Sequence, residues 1–233
     1  MTSQLRVFLF GFRKTLPFQS GVVPFGLLYA TLAGTVGFSW WVTMLLSVVV
    51  FGGSSQLVFV DLMQTLFSPL QATLGANIVN ARHLIYSAGV SRRYAGFSRG
   101  WQLFLCYLLT DQLFAVSESE KEQVDRMPQE LVPWFYFGSG FCTWIFWVIA
   151  TAVGIVFGHI IPTSWNLGFS IPLLFMPLVF SVAKTRAAAV SCVLAVLFVF
   201  LLQKLPFGLG VLAAILIASA LGYLLRNRVG GRK

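Results

Sequence analysis

A bundle of seven or eight transmembrane helices is the fold class this chain predicts, and three observations carry it. Of its 233 residues 58% are hydrophobic and only 10% charged, where a soluble domain needs roughly 25% charged residues to wet its surface. Mean hydropathy is +0.83. The apolar residues also arrive in long runs rather than at the spacing of a soluble core.

A helix that crosses a bilayer needs ~20 mainly apolar residues. On that measure the runs fall at about 19–38, 41–66, 70–90, 100–117, 134–160, 165–183, 187–203 and 205–225. Residues Val7 to Phe12 are too short for a signal peptide and precede Arg13 and Lys14, so they read as an amphipathic interfacial lead-in. The segment from Ser117 to Pro133 carries five acidic residues with Lys121 and Arg126 and reads as a solvated connector.

The net charge of +9 is scattered in short clusters between apolar runs. That distribution suits membrane orientation and anionic headgroups and excludes a nucleic-acid partner. With eight spans and an inside N-terminus, eleven basic loop residues fall inside. Arg92, Arg93, Arg99 and Lys204 fall outside. The Arg92–Arg93–Arg99 cluster violates the positive-inside rule. A re-entrant 41–66 run would remove the violation, because Gly52-Gly53-Ser54-Ser55-Gln56 interrupts it. Eight segments are the preferred reading. Cys106, Cys142 and Cys192 sit inside apolar runs without metal-ligand spacing and read as small buried residues.

Proline and glycine break two segments. Pro24 and Gly26 interrupt the first, and Gly168, Pro172 and Pro177 the sixth. Freed backbone groups in lipid are tolerated only where protein or water satisfies them, so paired breaks point to a transporter with inverted repeats. The chain reads as one transmembrane transporter domain, 1–233, with repeat halves 15–90 and 165–228 linked by 100–160.

The polar residues inside these runs are the candidate site. Read as one helix, the third segment places Asn77, Asn80, His83 and Ser87 in one stripe, with Arg82 and Tyr86 on the adjoining face. Such groups either glue helices together or serve a solute or proton path. Asp111 in the fourth segment either pairs with Arg82 or relays protons. The Gly53-Ser54-Ser55-Gln56 break either serves close packing or opens a helix N-terminus able to hold a carboxylate. Asp61 and His159 read as interfacial. No enzyme, metal or cofactor motif competes.

Together Pro24-Phe25-Gly26, Gly53-Ser54-Ser55-Gln56, Asn80-Ala81-Arg82-His83-Leu84-Ile85-Tyr86-Ser87 and Leu109-Thr110-Asp111 resemble the AzlC/YgaZ family of branched-chain amino acid permeases. The resemblance covers about residues 15–160 strongly and the last third chiefly in hydropathy. It departs from the family pattern at Ala81 and at Gln112. It implies a multi-pass bacterial inner-membrane exporter of valine-like amino acids, with a small membrane partner of the AzlD/YgaH type. A zwitterionic substrate then needs an anion site, at Arg82 or near Ser54. It also needs a cation site, at Asp111, Asn77, Asn80 or carbonyls freed near Pro24. His83, with Asp111 second, is the expected proton carrier, having a reference pKa near ~6.5. The other readings of the same residues are a channel-like conduit for a small polar solute and a non-transporting scaffold.

Overall fold

The structure is a computed structural model that describes residues 3–64, 68–158, 186–202 and 209–229. Among these residues every regular element is helical. Two compact units divide the chain near Phe175 and Met176.

The first unit is organised around two long helices lying side by side. One is formed by α1 (Ser3–Thr15), a 3-10 turn (Leu16–Phe18) and α2 (Gln19–Thr35), which together make one apolar rod of 33 residues. Its companion, Val132–Phe157, has 26 residues, about 39 Å at 1.5 Å per residue, enough to cross the ~30 Å of a bilayer core. Close approaches pair Gly11 with Phe135, Gly26 with Ala150, Gly154 with Ala30 and Gly158 with Thr31. The paired numbers rise together, so the two rods run in the same direction, from a near end at Ser3 and Val132 to a far end at Thr35 and Phe157. A Cβ on Gly138 would lie 1.9 Å from the Phe8 carbonyl oxygen, which is why glycine occupies this crossing. Buried hydroxyls fasten the same seam, with Thr15 bonded to Ser139 at 2.7 Å. The expected interfacial lead-in is corrected here: α1 packs along the companion rod instead of lying apart from it. So is the expected break at Pro24, which sits inside an uninterrupted α2.

Between the rods the chain is built from half-length helices. The run 41–66 divides into α3 (Trp40–Val49) and α4 (Gly53–Gln64). Tyr29 of α2 bonds the Thr43 carbonyl at 3.2 Å, Ser47 bonds Thr151, and Gly53 meets Trp147 and Phe25. Those contacts carry α3 from the far end of the rods to their middle. Then Gln64 bonds Thr35 and Phe59 meets Phe38, so α4 returns to the end where α3 began. The run is re-entrant and does not cross.

The next run, 70–90, does cross, but in two pieces: α5 (Pro69–Asn80) and α6 (Arg82–Tyr94). Ser68 and Gln71 form a capping box at its start, with Pro69 in the first turn. Its finish lies at the near end, where Tyr94 meets Tyr136. The run 100–117 mirrors the first hairpin. Helix α7 (Arg99–Tyr107) enters from the near end, and α8 (Asp111–Ser119) turns back to it. Trp101 meets Trp134 at the entry, Tyr107 bonds Trp144 at the tip, and Glu118 reaches Arg93 on return.

The order of elements closes with α9 (Lys121–Asp125) and α10 (Val132–Phe157, the second rod). The expected solvated connector is largely helical and ion-paired: Glu120 holds Lys14 at 2.7 Å and Asp125 holds Arg93 at 3.4 Å. This topology also dissolves the charge violation. Of the Lys and Arg in residues 1–158, all but Arg82 now lie at the near end. Cys106 is exposed, whereas Cys142 is buried; an outward surface rich in Leu84, Ile85 and Leu103 suits a thiol as well as a core does.

In the second unit α11 (Arg186–Leu202) and α12 (Leu209–Val229) pack together, Gly222 against Ser191 and Ala187. The breaks expected at Gly168, Pro172 and Pro177, together with His159, Lys184 and Lys204, lie outside the described residues.

The seam between the rods is testable. Gly138→Ala should cost ~1–3 kcal/mol through overpacking and lower the unfolding temperature by several degrees in detergent. Gly100→Ala, whose Cβ would meet nothing within 4 Å, should leave it unchanged.

Candidate functional site

The three interruptions meet at mid-depth, and each contributes to one cluster. At the first hairpin tip, Phe51 turns the chain with φ of 45°, a left-handed backbone that a bulky residue adopts only under strain. Its ring is buried and lies 5.8 Å from the Tyr107 ring on the opposing tip. Tyr107 also donates a hydrogen bond to the Val48 carbonyl. The two re-entrant tips therefore touch each other.

Each tip launches a helix that points its amino end inward. Helix α4 forms its first backbone bond from Gln56 to Gly52, which leaves the Gly53 and Ser54 amides free of intrahelical partners. Helix α8 begins at Thr110, whose hydroxyl accepts from Leu113 at 3.5 Å. Asp111 follows in its first turn, where a negative charge is favoured. Arg82 opens α6, where a cation is disfavoured, and its neighbours supply the compensation. The guanidinium lies 3.2 Å from the Asp111 carboxylate and donates to the Ser54 hydroxyl. Tyr86, one turn on, donates to the other Asp111 oxygen at 2.5 Å and stacks on Phe114 at 4.8 Å.

Gly53, Ser54, Arg82, Thr110 and Asp111 border a cavity of about 40 Å³. A water needs roughly 10–15 Å³ on this measure, so a few waters fit and an amino acid does not. Arg82, His83, Ser54, Asp111 and Gln112 form its polar wall, and Val22, Phe25 and Phe51 its apolar wall. His83 approaches the Asn80 carbonyl through Nδ1 at 3.2 Å.

The rest of the expected site is distributed differently. The helix breaks at Ala81, where Leu84 reaches back to the Ala81 carbonyl, so the stripe is not one continuous face. Asn77, Asn80, Ser55 and Gln56 line a separate cavity. Ser87 is exposed. Pro24 and Gly26 border neither cavity, Gly26 being taken up by contact with Ala150. Gly53 does border the charged cavity, against the Trp147 ring.

Sequence reasoning missed Thr143 and Trp147, one helical turn apart on α10. Both line the charged cavity and are 3% exposed. Thr143 Oγ1 and Trp147 Nε1 find no hydrogen-bond partner among the described residues. Buried polar groups seldom remain unsatisfied. Their only sequence signal is a threonine and a tryptophan four apart in an apolar run.

Opposed re-entrant hairpins around a charged midpoint define a polytopic helical membrane protein with an internal polar site. More narrowly, the chain belongs to the AzlC family, whose sequence pattern matches residues 17–161. A branched-chain amino acid transport protein, AzlC, of Bacillus subtilis is 27% identical over 71% of this chain and 63% of its own length. The chain thus spans less than two thirds of that relative. An uncharacterized membrane protein of Archaeoglobus fulgidus is 30% identical over 81% of this chain and 83% of its own. The inner membrane protein YgaZ of Escherichia coli is 26% identical over 82% and 78% respectively. No solved structure matches the chain.

The ion pair gives a test by stability. Arg82 and Asp111 side chains are 25% and 10% exposed, so removing one partner strands a largely buried charge. Arg82→Gln or Asp111→Asn should each destabilise by about 3 kcal/mol, the low end for a buried pair. The double variant should recover more than half of the loss in thermal unfolding.

Proposed function

We propose that this chain is a secondary transporter that exports branched-chain and other neutral aliphatic amino acids across the bacterial inner membrane. The observation that carries the reading is the Arg82–Asp111 pair, set between inward-pointing helix ends beside an apolar wall. A zwitterion needs those three elements. Its carboxylate is met by the free amides at Gly53 and Ser54, by Arg82, and by donation from Thr143 and Trp147. Its ammonium is met by Asp111. Val22, Phe25 and Phe51 receive the aliphatic side chain. One methylene in such a pocket is worth only ~1–3 kcal/mol, so valine, leucine, isoleucine and methionine share the route.

The cavity is contracted around the ion pair, and substrate requires the hairpin tips to part. Separating Tyr107 from Val48 and Phe51 opens the site toward one end or the other. Inserting a zwitterion between Arg82 and Asp111 exchanges one ion pair for two, so the charges stay balanced throughout. Proton coupling falls to His83 and to Asp111, to which Tyr86 donates. The basic near end faces the cytoplasm by the positive-inside rule. Family membership and the name of the Bacillus relative support transport of branched-chain amino acids; export and a small AzlD/YgaH-like partner subunit are our proposal. An inverted-repeat relation between residues 15–90 and 165–228 within a single transporter domain remains part of the proposal.

Efflux of labelled valine from proteoliposomes, with and without an imposed pH gradient and partner, tests the reading. Gradient-driven movement is expected. Dissipative flux alone would indicate a channel, and no flux a scaffold. Arg82→Gln and Asp111→Asn should each reduce transport at least 100-fold in correctly folded protein; full activity in both refutes the site. Thr143→Val and Trp147→Phe should each weaken half-saturation several-fold, about 1 kcal/mol per lost hydrogen bond.

A further inference from the structure

The first turn of α4 separates two cavities. Ser54 faces the charged one, while Ser55 and Gln56 face another of about 300 Å³. This second cavity is bounded by α3, α4 and α5, between the midpoint and the far end. Leu46, Val50, Phe59 and Ala76 make it largely apolar.

Its buried polar atoms without a partner among the described residues are of one kind. Gln56 is 3% exposed, and its amide nitrogen points to Ser47 at 3.5 Å. That leaves Oε1 as an acceptor with no donor among the described residues, and Asn80 Oδ1 is buried in the same condition. Ser55 is occupied with the Gly52 carbonyl and Asn77 with the Thr73 carbonyl. Two buried carbonyl oxygens without a donor, on side chains that border a largely apolar cavity, call for a ligand that brings N–H donors and an aliphatic body.

Gly52 lies in the chain between residues of the two cavities, Val50 and Ser55 of one and Phe51 and Gly53 of the other. A Cβ there would lie 2.6 Å from Ser55 Oγ and 3.4 Å from Asn80 Oδ1. The approach that leaves no room for a side chain is the one to Ser55 Oγ, while Asn80 lies at ordinary van der Waals distance.

We propose that the 300 Å³ cavity is a second substrate station on the far-end side of the charged cavity. It holds the ammonium on Gln56 Oε1 and Asn80 Oδ1 and the aliphatic side chain against Leu46, Val50 and Phe59. The inference rests on the transport reading above and adds a waiting site to it. The substrate leaves Arg82 and Asp111, passes Gly52, and pauses where only its ammonium is recognised. Selectivity is therefore looser at the second station than at the first. A ligand carrying an ammonium but no carboxylate, such as isobutylamine, fits the second alone.

Equilibrium binding of labelled valine to purified protein, run beside proteoliposome counterflow, separates the two ideas. Wild type should bind two valines per chain, one of them displaced by isobutylamine. Gln56→Leu and Asn80→Leu should each leave one valine, insensitive to isobutylamine, and slow counterflow about tenfold. Asn80→Asp keeps the oxygen and adds charge, so it should retain isobutylamine more tightly than wild type. A single valine in wild type, or isobutylamine binding that all three variants leave unchanged, overturns the second station while the charged site stands. Full transport by Arg82→Gln and Asp111→Asn would instead remove the first.

Discussion

A charge pair in the middle of an apolar bundle is the constraint on which the rest of this structure depends. Arg82 and Asp111 cannot sit at that depth unless each finds the other and a set of fixed dipoles. An unbroken helix offers none, because its amides and carbonyls are consumed along its length. The chain therefore interrupts three helices at one level. Ser54 then reaches the guanidinium, Asp111 lies at a helix start that favours its charge, and Tyr86 completes the carboxylate.

Interrupted helices need support that half-length segments cannot give themselves. The two parallel rods supply it through glycine contacts that let their backbones meet. Against this fixed frame the hairpins enter from opposite ends and touch through Tyr107, Val48 and Phe51. Strained φ at Phe51 and two donors on α10 without a partner among the described residues collect at the same place. A packed frame with a sparsely tied, strained centre has its low-cost motion where the polar groups lie.

What the sequence made legible follows from physical range. Helical class, apolar runs and the break near Gly53 are local facts of composition, and the structure agrees with each. The Arg82–Asp111 pairing was one of two readings left open for Asp111, and the structure contains that pair. The break at Thr110 was signalled by a capping threonine before an aspartate, but the apolar flanks hid it. At Ala81 no residue disfavours helix, and the interruption comes from the distant partners of Arg82. Pro24 misled for the complementary reason: a proline near a helix start, seated against a long packed rod, does not break it. Thr143 and Trp147 were invisible because their meaning lies in which cavity they face.

The central claim is that residues 40–64 and 99–119 enter from opposite ends and return. Single cysteines at 39, 68, 98 and 123, in a chain lacking Cys106, Cys142 and Cys192, report it through labelling with a membrane-impermeant thiol reagent. All four positions are exposed. Positions 39 and 68 should label from one face of the membrane, and 98 and 123 from the other. Labelling of 39 and 68 from opposite faces would make the first run a crossing helix and contradict the account.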